Sequence, residues 1–595
     1  MPRKKKGKIN IEWPWSPYQK RIFECIEHDV GNLVIESCAG SGKTSTLIKC
    51  LDFIPNDKQI LLTAFNNEIV RELKKKTKDH DNVDVRTLHS LGLMILRENL
   101  KDEKLIPDVY KYESYIRNNI KSLTSANLWK LKGRDYYRYI DNVIKYINYG
   151  RLYLCSTVED LNEIEARYGI DTIEDEKEVS IKALEWGLKA LESIDYTDMV
   201  WLPNVMKLTP LGGLYDFIFI DECQDLNKAE RELVLRCFKD ETRMICVGDE
   251  NQCIFSFAGA DPQSFSILKS LPNTKTLPLS ISYRCSENIV DFAKKLVPTI
   301  EPNNDGRQGE IVKEVNLDDV EDGDMILCRN NAPLIQAYST LLKDGKKAFI
   351  RGKEIGSSLK TMVNRTKKKM LFRSLTDDGV FIRLYDDLFA TRNTLMEQYA
   401  IDEESAMKSQ VFQNKLDAIT TLEILADGLN TTDELVNKIE NIFSKSKETE
   451  GIALSTIHKA KGLEANNVFI LCESLMPSKS AKRPWEIRQE QNLMYVAYTR
   501  AKNKLGFISE KGFEKFDTAS SISIKRLKQI ETSVRDILHK KTEFTLNEQT
   551  ARKYIENMKN REPIKIEYKQ IELNKSANTR KLNSFADILK KKKRR

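Results

Sequence analysis

Short apolar runs alternate with amphipathic, helix-like stretches over the first half of the chain. Runs of this length are typical of buried strands, whereas apolar positions spaced three and four apart indicate helices. The pattern predicts a helix at 67–76 and strands at 33–35, 59–64, 83–86, 215–220, 244–248 and 274–279. Because strands that alternate with helices pair in parallel and are covered on both faces, this stretch is predicted to form an α/β domain.

The alternation is interrupted twice. Residues 101–195 and 360–449 carry helical spacing without strong strand patterns. Between and after these stretches, further strands are predicted at 324–328, 348–351, 452–456 and 467–471. The predicted fold class is therefore α/β, with two parallel-sheet domains that are each interrupted by a mainly helical insertion.

The two interruptions set the predicted domain boundaries. The first domain is expected at 1–100 and 196–280, with its insert at 101–195. The second domain is expected at 281–359 and 450–512, with its insert at 360–449, and a C-terminal extension is expected at 513–595. The extension is lysine-rich and ends in six consecutive basic residues. Such an end binds phosphate nonspecifically, directs nuclear import or is a solvated tail. The stretch 584–589 before it is a candidate docking peptide or a packed helical turn.

Composition narrows the class of protein without naming a partner. A length of 595 residues suits about three to five domains, and a net charge of +8 permits a nucleic-acid partner without requiring one. The 11 cysteines form no C-x-x-C pair and do not cluster with the 5 histidines. Neither a zinc site nor a disulfide framework is therefore expected.

The expected location is intracellular. No apolar run approaches the ~18–20 residues that span a bilayer, and no apolar secretory segment follows the basic N-terminus. No membrane partner is therefore expected. The compartment would be the cytoplasm or nucleoid, or the nucleus or a viral factory, since the basic termini are compatible with nuclear import.

The clearest chemical motif follows the first predicted strand. Gly40 and Gly42 let backbone N–H groups turn towards a phosphate, and the next helix adds its positive N-terminal end. Lys43 is placed to reach the β and γ phosphates, and the Thr44 hydroxyl to hold magnesium. Ser37 stands where the full P-loop pattern has its leading glycine, although strand and helix lie where a P-loop needs them. The alternative is a Gly/Ser turn before a helix.

An acidic motif follows the strand predicted at 215–220. Asp221, at the tip of this buried strand, is the candidate metal ligand, and Glu222 can orient and deprotonate an attacking water. With the P-loop, this pair predicts ATP and Mg²⁺ as cofactors. Taken alone, the acidic run 221–225 would also suit a solvated turn.

The order of these and further motifs resembles that of the UvrD/Rep helicases of superfamily 1, over roughly residues 13–510. The shared motifs lie at Gln19, 39–44, 64–67, 87–90, 195–199, 221–225, 248–252, 282–284, 456–464 and 495–501. The resemblance implies that both α/β domains are RecA-like. The motifs at 64–67 and 195–199 are closer to the F-box DNA helicases and their viral relatives.

The resemblance also implies roles at the nucleotide. The implied catalytic set is Lys43, Asp221, Glu222, Gln252, Arg284 and Arg500. Gln252 would sense the γ-phosphate, and the two arginines would reach from the second domain as arginine fingers. Gln19 would read the adenine edge, Tyr283 would stack on the adenine ring, and Glu464 would contact the ribose or a phosphate. The implied phosphate loop is Ala39, Gly40, Ser41, Gly42, Lys43, Thr44 and Ser45, the last in place of a common arginine.

A DNA track is implied beside the nucleotide. Phe255 and Phe257 would stack on bases, a contact worth about 1–3 kcal/mol per base that tolerates any sequence. The rest of the implied track is Phe65, His89 and His458. Core packing is the alternative for each phenylalanine, and a structural role for each histidine. Ser256 and Ala258 stand where the family usually carries arginines, so DNA contacts would be weaker or supplied elsewhere.

By resemblance, the chain is expected to be an ATP-dependent DNA helicase or translocase. It would move 3′–5′ on single-stranded DNA, unwind duplex at ss/ds junctions and serve replication, repair or recombination, with candidate protein partners at the C-terminal tail. The alternative is a DNA-stimulated ATPase subunit of a larger nuclease, defence or repair assembly that unwinds little by itself. A P-loop kinase or GTPase is a third class, against which the arginine and aromatic motifs argue.

Overall fold

The computed structural model describes residues 14–64, 66–102, 104–125, 134–170, 172, 174–369, 379–444, 450–513, 516 and 525–538. Both sheets and their helices belong to the compact unit that ends at Val534. Among the described residues, the model contains no helix with the length and apolar character needed to cross a membrane.

Six strands form a parallel sheet in the first half of the chain. Their bounds are Asn32–Ser37 (β1), Ile60–Ala64 (β2), Val83–Thr87 (β3), Tyr215–Ile220 (β4), Phe238–Gly248 (β5) and Thr274–Leu279 (β6). The order across the sheet is β3-β2-β4-β5-β1-β6. Because the carboxyl ends of parallel strands meet at one edge, the loops after β1, β4 and β5 are gathered there.

The helices of this part of the chain pack either on the two faces of the sheet or on one another. Their bounds are Pro17–His28 (α1), Lys43–Leu51 (α2), Asn67–Lys76 (α3), Leu88–Leu100 (α4), Lys111–Leu123 (α5), Arg134–Leu152 (α6), Val158–Tyr168 (α7), Glu176–Gly187 (α8), Asp198–Val205 (α9), Lys228–Leu235 (α10) and Ser264–Lys269 (α11). Ile35 on β1 packs with α1 and α2, while the neighbouring Val34 packs on the opposite face with α4 and α10. Burial on both faces explains why β1 is an unbroken apolar run.

A second parallel sheet follows. The bounds of its strands, and of a short strand pair that precedes it, are Ile281–Ser282 (β7), Glu301–Pro302 (β8), Glu310–Val315 (β9), Met325–Cys328 (β10), Ala348–Ile350 (β11), Ile452–Thr456 (β12), Ala465–Leu471 (β13) and Ala501–Ile508 (β14). The order of the six long strands is β11-β12-β10-β13-β14-β9, and β7 pairs with β8.

We call the chain up to the end of β6 the first half and the chain from β7 onwards the second half. The helices of the second half include a helical stretch between β11 and β12. Their bounds are Glu287–Ala293 (α12), Asn331–Lys343 (α13), Lys353–Lys369 (α14), Val380–Tyr399 (α15), Glu403–Met407 (α16), Gln410–Ala426 (α17), Thr432–Ser444 (α18) and Pro484–Tyr498 (α19). Asp417 on α17 accepts hydrogen bonds from the backbone N–H groups of Asn331 and Ala332, both at 3.0 Å. This carboxylate ties the helical stretch to the start of α13, where it also offsets the positive helix end.

A further helical segment is described at 525–538 and contacts the same helical stretch through one of its glutamates. Its Glu531 receives two hydrogen bonds from Arg392 on α15, at 2.5 and 2.8 Å, and both residues are buried. Part of the predicted C-terminal extension is thus folded against α15. The boundaries of the seven predicted segments stay predictions.

The predicted α/β fold class with parallel sheets is confirmed, and so is each predicted strand to within a few residues. The pattern missed β9 and β14, which lie together at one edge of the second sheet, and the start of β5 at Phe238. The first half of β14 and most of β9 are only partly buried, so these strands carry charged residues instead of a continuous apolar run.

The two sheets share a core at the phosphate loop. Cys38 and Ala39, directly after β1, pack with Ile254 of the first half and with Leu493 and Val496 on α19. The loop after β1 is therefore enclosed by side chains from both halves. A nucleotide phosphate bound there would lie at their junction.

Candidate nucleotide and nucleic-acid site

The loop between β1 and α2 has the backbone shape of a phosphate cradle. Gly40 and Gly42 take φ angles of +73° and +80°, a region that favours glycine. A Cβ at Gly40 would lie 2.6 Å from the Cβ of Arg284, so the second half approaches the loop closely. The buried Ser41 Oγ has no hydrogen-bond partner among the residues that the structure describes. An oxygen-rich phosphate would satisfy such a donor, so the loop fits the predicted ligand.

The charged groups of the two predicted motifs meet at this loop. Lys43 Nζ lies 3.2 Å from Glu222 Oε1, and the Thr44 hydroxyl donates to Asp221 Oδ2 at 3.0 Å. The hydroxyl and the carboxylate lie next to each other, and both supply the hard oxygen ligands that Mg²⁺ prefers. Ser45 is exposed on the first turn of α2.

Burial and neighbouring charges shift the pKa values of Asp221 and Glu222 in opposite directions. Burial and the charge of Glu222 raise the pKa of Asp221, while Lys43 opposes them. For Glu222, burial is outweighed by the charges of Lys43 and Lys461, which lower its pKa. Gln224 also donates to Glu222 at 2.7 Å. Glu222 is therefore anionic at neutral pH and can accept a proton from a water.

The two predicted arginine fingers reach the site from the second half. Arg500 donates to Gln252 Oε1 at 3.3 Å, and Gln252 donates to Asp249 at 2.6 Å. Arg284 donates to Glu464 at 2.7 Å and lies against the phosphate loop. Burial and then the charge of Arg284 lower the pKa of Arg500 to about 9, so its guanidinium stays charged at neutral pH.

The predicted adenine residues also lie together. Gln19 donates to the Thr46 hydroxyl on α2 at 2.9 Å, and the Tyr283 hydroxyl donates to Gln19 Oε1 at 3.4 Å. Arg307 donates to the backbone carbonyls of Tyr283 and Arg284, at 2.9 and 3.2 Å. This third arginine fixes the loop that carries the Tyr283 ring and the Arg284 cation beside the phosphate loop.

Part of the predicted DNA track is assembled beside this site. The Phe257 ring is 47% exposed and meets the His458 ring edge-on at 5.4 Å. Phe255 is half-buried against the shared core, with its ring centroid 6.3 Å from that of Phe257. Burial and then the charge of Arg329 lower the pKa of His458 to about 3, so its imidazole is neutral.

The remaining track residues are placed differently. His89 lies on α4, with Nδ1 3.8 Å from Glu230. Phe65 lies outside the described residues. The structure therefore brings Phe255, Phe257 and His458 together, and it places His89 next to a carboxyl of α10.

Two family models match parts of this chain. The family model described as the UvrD/REP helicase N-terminal domain matches residues 16–272, and that of the UvrD-like helicase C-terminal domain matches residues 451–508. The chain belongs to the UvrD/Rep helicase family. The matches take in the phosphate loop, Glu222 and Gln252 in one model, and His458 and Arg500 in the other.

Among relatives, this UvrD/Rep-family chain is similar to the ATP-dependent DNA helicase Rep of Buchnera aphidicola, with 22% identity over 81% of this chain and 93% of that one. It is similar to the helicase PcrA of Staphylococcus epidermidis, with 23% identity over 81% and 82%. It is also similar to F-box DNA helicase protein 1 of Schizosaccharomyces pombe, with 24% identity over 82% of this chain and 56% of that one. Placement nearer the F-box branch stays a prediction.

Three side chains of this family member join the two halves at the site without having been singled out from the sequence. Lys461 donates to Asp225 Oδ2 at 2.5 Å and to the Gln252 carbonyl at 2.6 Å. The Tyr495 hydroxyl accepts from the Ala39 N–H at 2.9 Å. Asn492 donates to two carbonyls of the loop after β5. All three lie inside or near quoted motifs, but only the tertiary structure gives them partners.

Proposed function

We propose that this UvrD/Rep-family chain hydrolyses ATP and couples hydrolysis to movement along single-stranded DNA and to the unwinding of duplex. The observation that carries the proposal is the junction at Gln252. This side chain contacts Arg500 of the second half and, five residues further on, the same loop presents the exposed ring of Phe257. One loop therefore joins a phosphate site to an aromatic platform.

The phosphate chemistry would be carried by residues from both halves. Backbone N–H groups around Gly42 and the Lys43 ammonium would hold the β and γ phosphates. A Mg²⁺ ion, held by Thr44 and Asp221, would neutralise charge on the phosphate oxygens when bound. Ser41 would supply the donor that has no partner among the described residues.

Hydrolysis needs a base and a means of stabilising developing charge. Glu222 is anionic and would orient the attacking water and accept its proton. Arg284 and Arg500 would stabilise the charge that spreads over the equatorial oxygens of the transferred phosphoryl group. Because these arginines belong to the second half, ATP would draw the halves together and hydrolysis would release them.

Movement along DNA would follow from this closure. Phe257 and His458 come from different halves, and their rings meet at the proposed track. A change in the gap between the halves at the phosphate would therefore also change the spacing of the residues that hold bases. Stacking is worth about 1–3 kcal/mol per base, which is enough to grip a strand without reading its sequence.

The finer features rest on family resemblance. We propose 3′–5′ movement, ss/ds junctions as the working substrate, and a role in replication, repair or recombination. The names of the relatives, which include ATP-dependent DNA helicases, support DNA as the track.

The test is ATP turnover by the purified chain with and without single-stranded DNA, beside unwinding of duplexes with a 3′ or a 5′ tail. Strong stimulation with unwinding of the 3′-tailed duplex alone is expected. Stimulation without unwinding would favour a DNA-stimulated ATPase subunit of a larger assembly. Turnover that DNA does not change would refute the proposed coupling.

A further inference from the structure

Helices α5–α8, between β3 and β4, form what we call the first helical stretch. Two of its tyrosine hydroxyls hold the turn that presents Phe257. We call residues 255–259 the stacking turn. Tyr168 donates to the Ser256 carbonyl and Tyr149 donates to the Phe257 carbonyl, each at 3.0 Å. Both carbonyls therefore have a partner on helices α6 and α7, which lie outside the two sheets.

The same turn also approaches α6 through its backbone. Gly259 has a φ of +103°, and a Cβ added there would lie 2.5 Å from Leu152 Cδ1. The positive φ favours glycine, and any other residue there would be strained and would also displace the Leu152 side chain. The helical stretch thus contacts three of the five residues of the stacking turn, two by hydrogen bonds and one by close packing.

The two tyrosines are themselves held in place. Their rings stack with centroids 3.9 Å apart and planes 11° from parallel. The hydroxyl of Tyr153 lies 2.8 Å from that of Tyr168, and the Arg167 guanidinium lies over the Tyr153 ring. Because the rings fix each other, the separation of the hydroxyls of Tyr149 and Tyr168 is fixed too. They can therefore impose one geometry on two consecutive carbonyls.

The other end of the same loop is held by the second half. Asn492 donates to the carbonyls of Glu250 and Cys253 at 3.0 and 2.9 Å, and Lys461 donates to that of Gln252. The loop is therefore fixed to the nucleotide side at its start and to the first helical stretch at its end. Motion of the second half would act on a platform whose far side is anchored.

We propose that Tyr149 and Tyr168 are positioning residues, which act through the backbone of the stacking turn to hold Phe257 in the orientation that stacks on a base. The proposal rests on the proposed function, because it needs a nucleic-acid strand on Phe257. Loss of the hydroxyls would leave the rings packed while freeing the carbonyls. A nucleic-acid strand would then bind a Phe257 ring whose orientation is not fixed before binding. Its affinity would fall, because binding would have to order the ring.

The experiment compares Tyr149→Phe, Tyr168→Phe and the double variant with the wild-type chain, with ATP turnover measured against the concentration of an oligo-dT strand. The DNA concentration for half-maximal stimulation should rise about three- to tenfold for each lost hydroxyl, as expected for one hydrogen bond. The maximal rate should fall less than this constant rises. Tyr139→Phe is the matched control, since its hydroxyl lies on the same helix but bonds to Asp175 at 2.7 Å.

A second readout tests whether the hydroxyls act through Phe257. In a Phe257→Ala background, removing the two hydroxyls should not raise the half-saturating DNA concentration further. Stacking should also be visible as quenching of a 2-aminopurine base in the strand, and this quenching should weaken in the double variant. The control variant should keep wild-type values in both measurements.

Two failures can be told apart. Wild-type turnover that DNA does not stimulate would overturn the proposed function and this assignment with it. Normal stimulation with tyrosine variants that match Tyr139→Phe would overturn the assignment alone. Equal effects of hydroxyl loss with and without the Phe257 ring would also overturn it, because the tyrosines would then act by another route.

Discussion

The Lys43 ammonium lies 3.2 Å from the Glu222 carboxylate, with the lysine side chain 11% exposed. The cation of the phosphate loop thus forms an ion pair with the group that we propose as catalytic base. A γ-phosphate would compete for the same ammonium. Nucleotide binding would then free Glu222 to face a water, which links substrate binding to activation of the base.

Replacing Lys43 with alanine should therefore abolish ATP hydrolysis, with a loss of about 100-fold or more, because the charge on the transferred phosphoryl group loses the ammonium that we propose to hold it. Some DNA binding should remain, since the aromatic track is intact. The measurement is steady-state ATP turnover beside DNA binding by fluorescence anisotropy. Lys49→Ala, which removes a partly exposed lysine of the same helix, is the control. Persistent hydrolysis in the Lys43 variant would place the ATP site elsewhere.

Phe257→Ala should weaken DNA-stimulated turnover more than turnover without DNA. Loss of one stacked base is expected to raise the half-saturating DNA concentration roughly 5- to 150-fold. The comparison is turnover against oligo-dT concentration, with Tyr110→Ala, another exposed aromatic ring, as the control. Equal losses with and without DNA would instead identify Phe257 as a packing residue.

Lys461→Met should lower the free energy of unfolding by about 3–5 kcal/mol, because it leaves the buried Asp225 carboxylate without its cation. Asp225 Oδ1 already has no partner among the described residues, so the remaining charge would be poorly satisfied. Urea denaturation measures the loss. In the double variant with Asp225→Asn the loss should be smaller. If both variants lose the same amount, the ion pair is not what holds this contact.

The free energy of unfolding should fall as pH rises, because Glu230 loses a proton. Burial raises its pKa from 4.5 to about 7, the backbone N–H of Asn227 opposes this, and the charge of Asp225 adds to it. The folded chain thus holds a proton that the unfolded chain releases near pH 4.5. The contribution of this proton to the free energy of unfolding is complete below pH 4.5 and is lost as pH rises through about 7.

The size of this effect is at most about 3 kcal/mol, from the distance between the two pKa values. Urea denaturation between pH 4.5 and 8 measures it. In Glu230→Gln, which keeps an acceptor for Asn227, the fall in stability over this range should be reduced. An unchanged pH profile would show that Glu230 is not the titrating group.

Local patterns along the chain were sufficient for much of the architecture. The run around Leu33–Ile35 is apolar because β1 is buried on both faces, and such a run is visible without its neighbours. The P-loop is equally local, since Gly40, Gly42 and Lys43 must follow one strand and start one helix. The pattern missed the edge strand β9 and its neighbour β14, because a half-exposed strand needs no continuous apolar run.

The sequence by itself thus determined the fold class, most of the strands and the residue types of the phosphate site, because each depends on neighbours within a few positions. Only the tertiary structure decided which distant groups meet. Lys461 reaches Asp225 across 236 positions, and Tyr149 reaches the Phe257 carbonyl across 108. Such contacts depend on how whole helices and sheets pack, and no local period of apolar and polar residues records that packing.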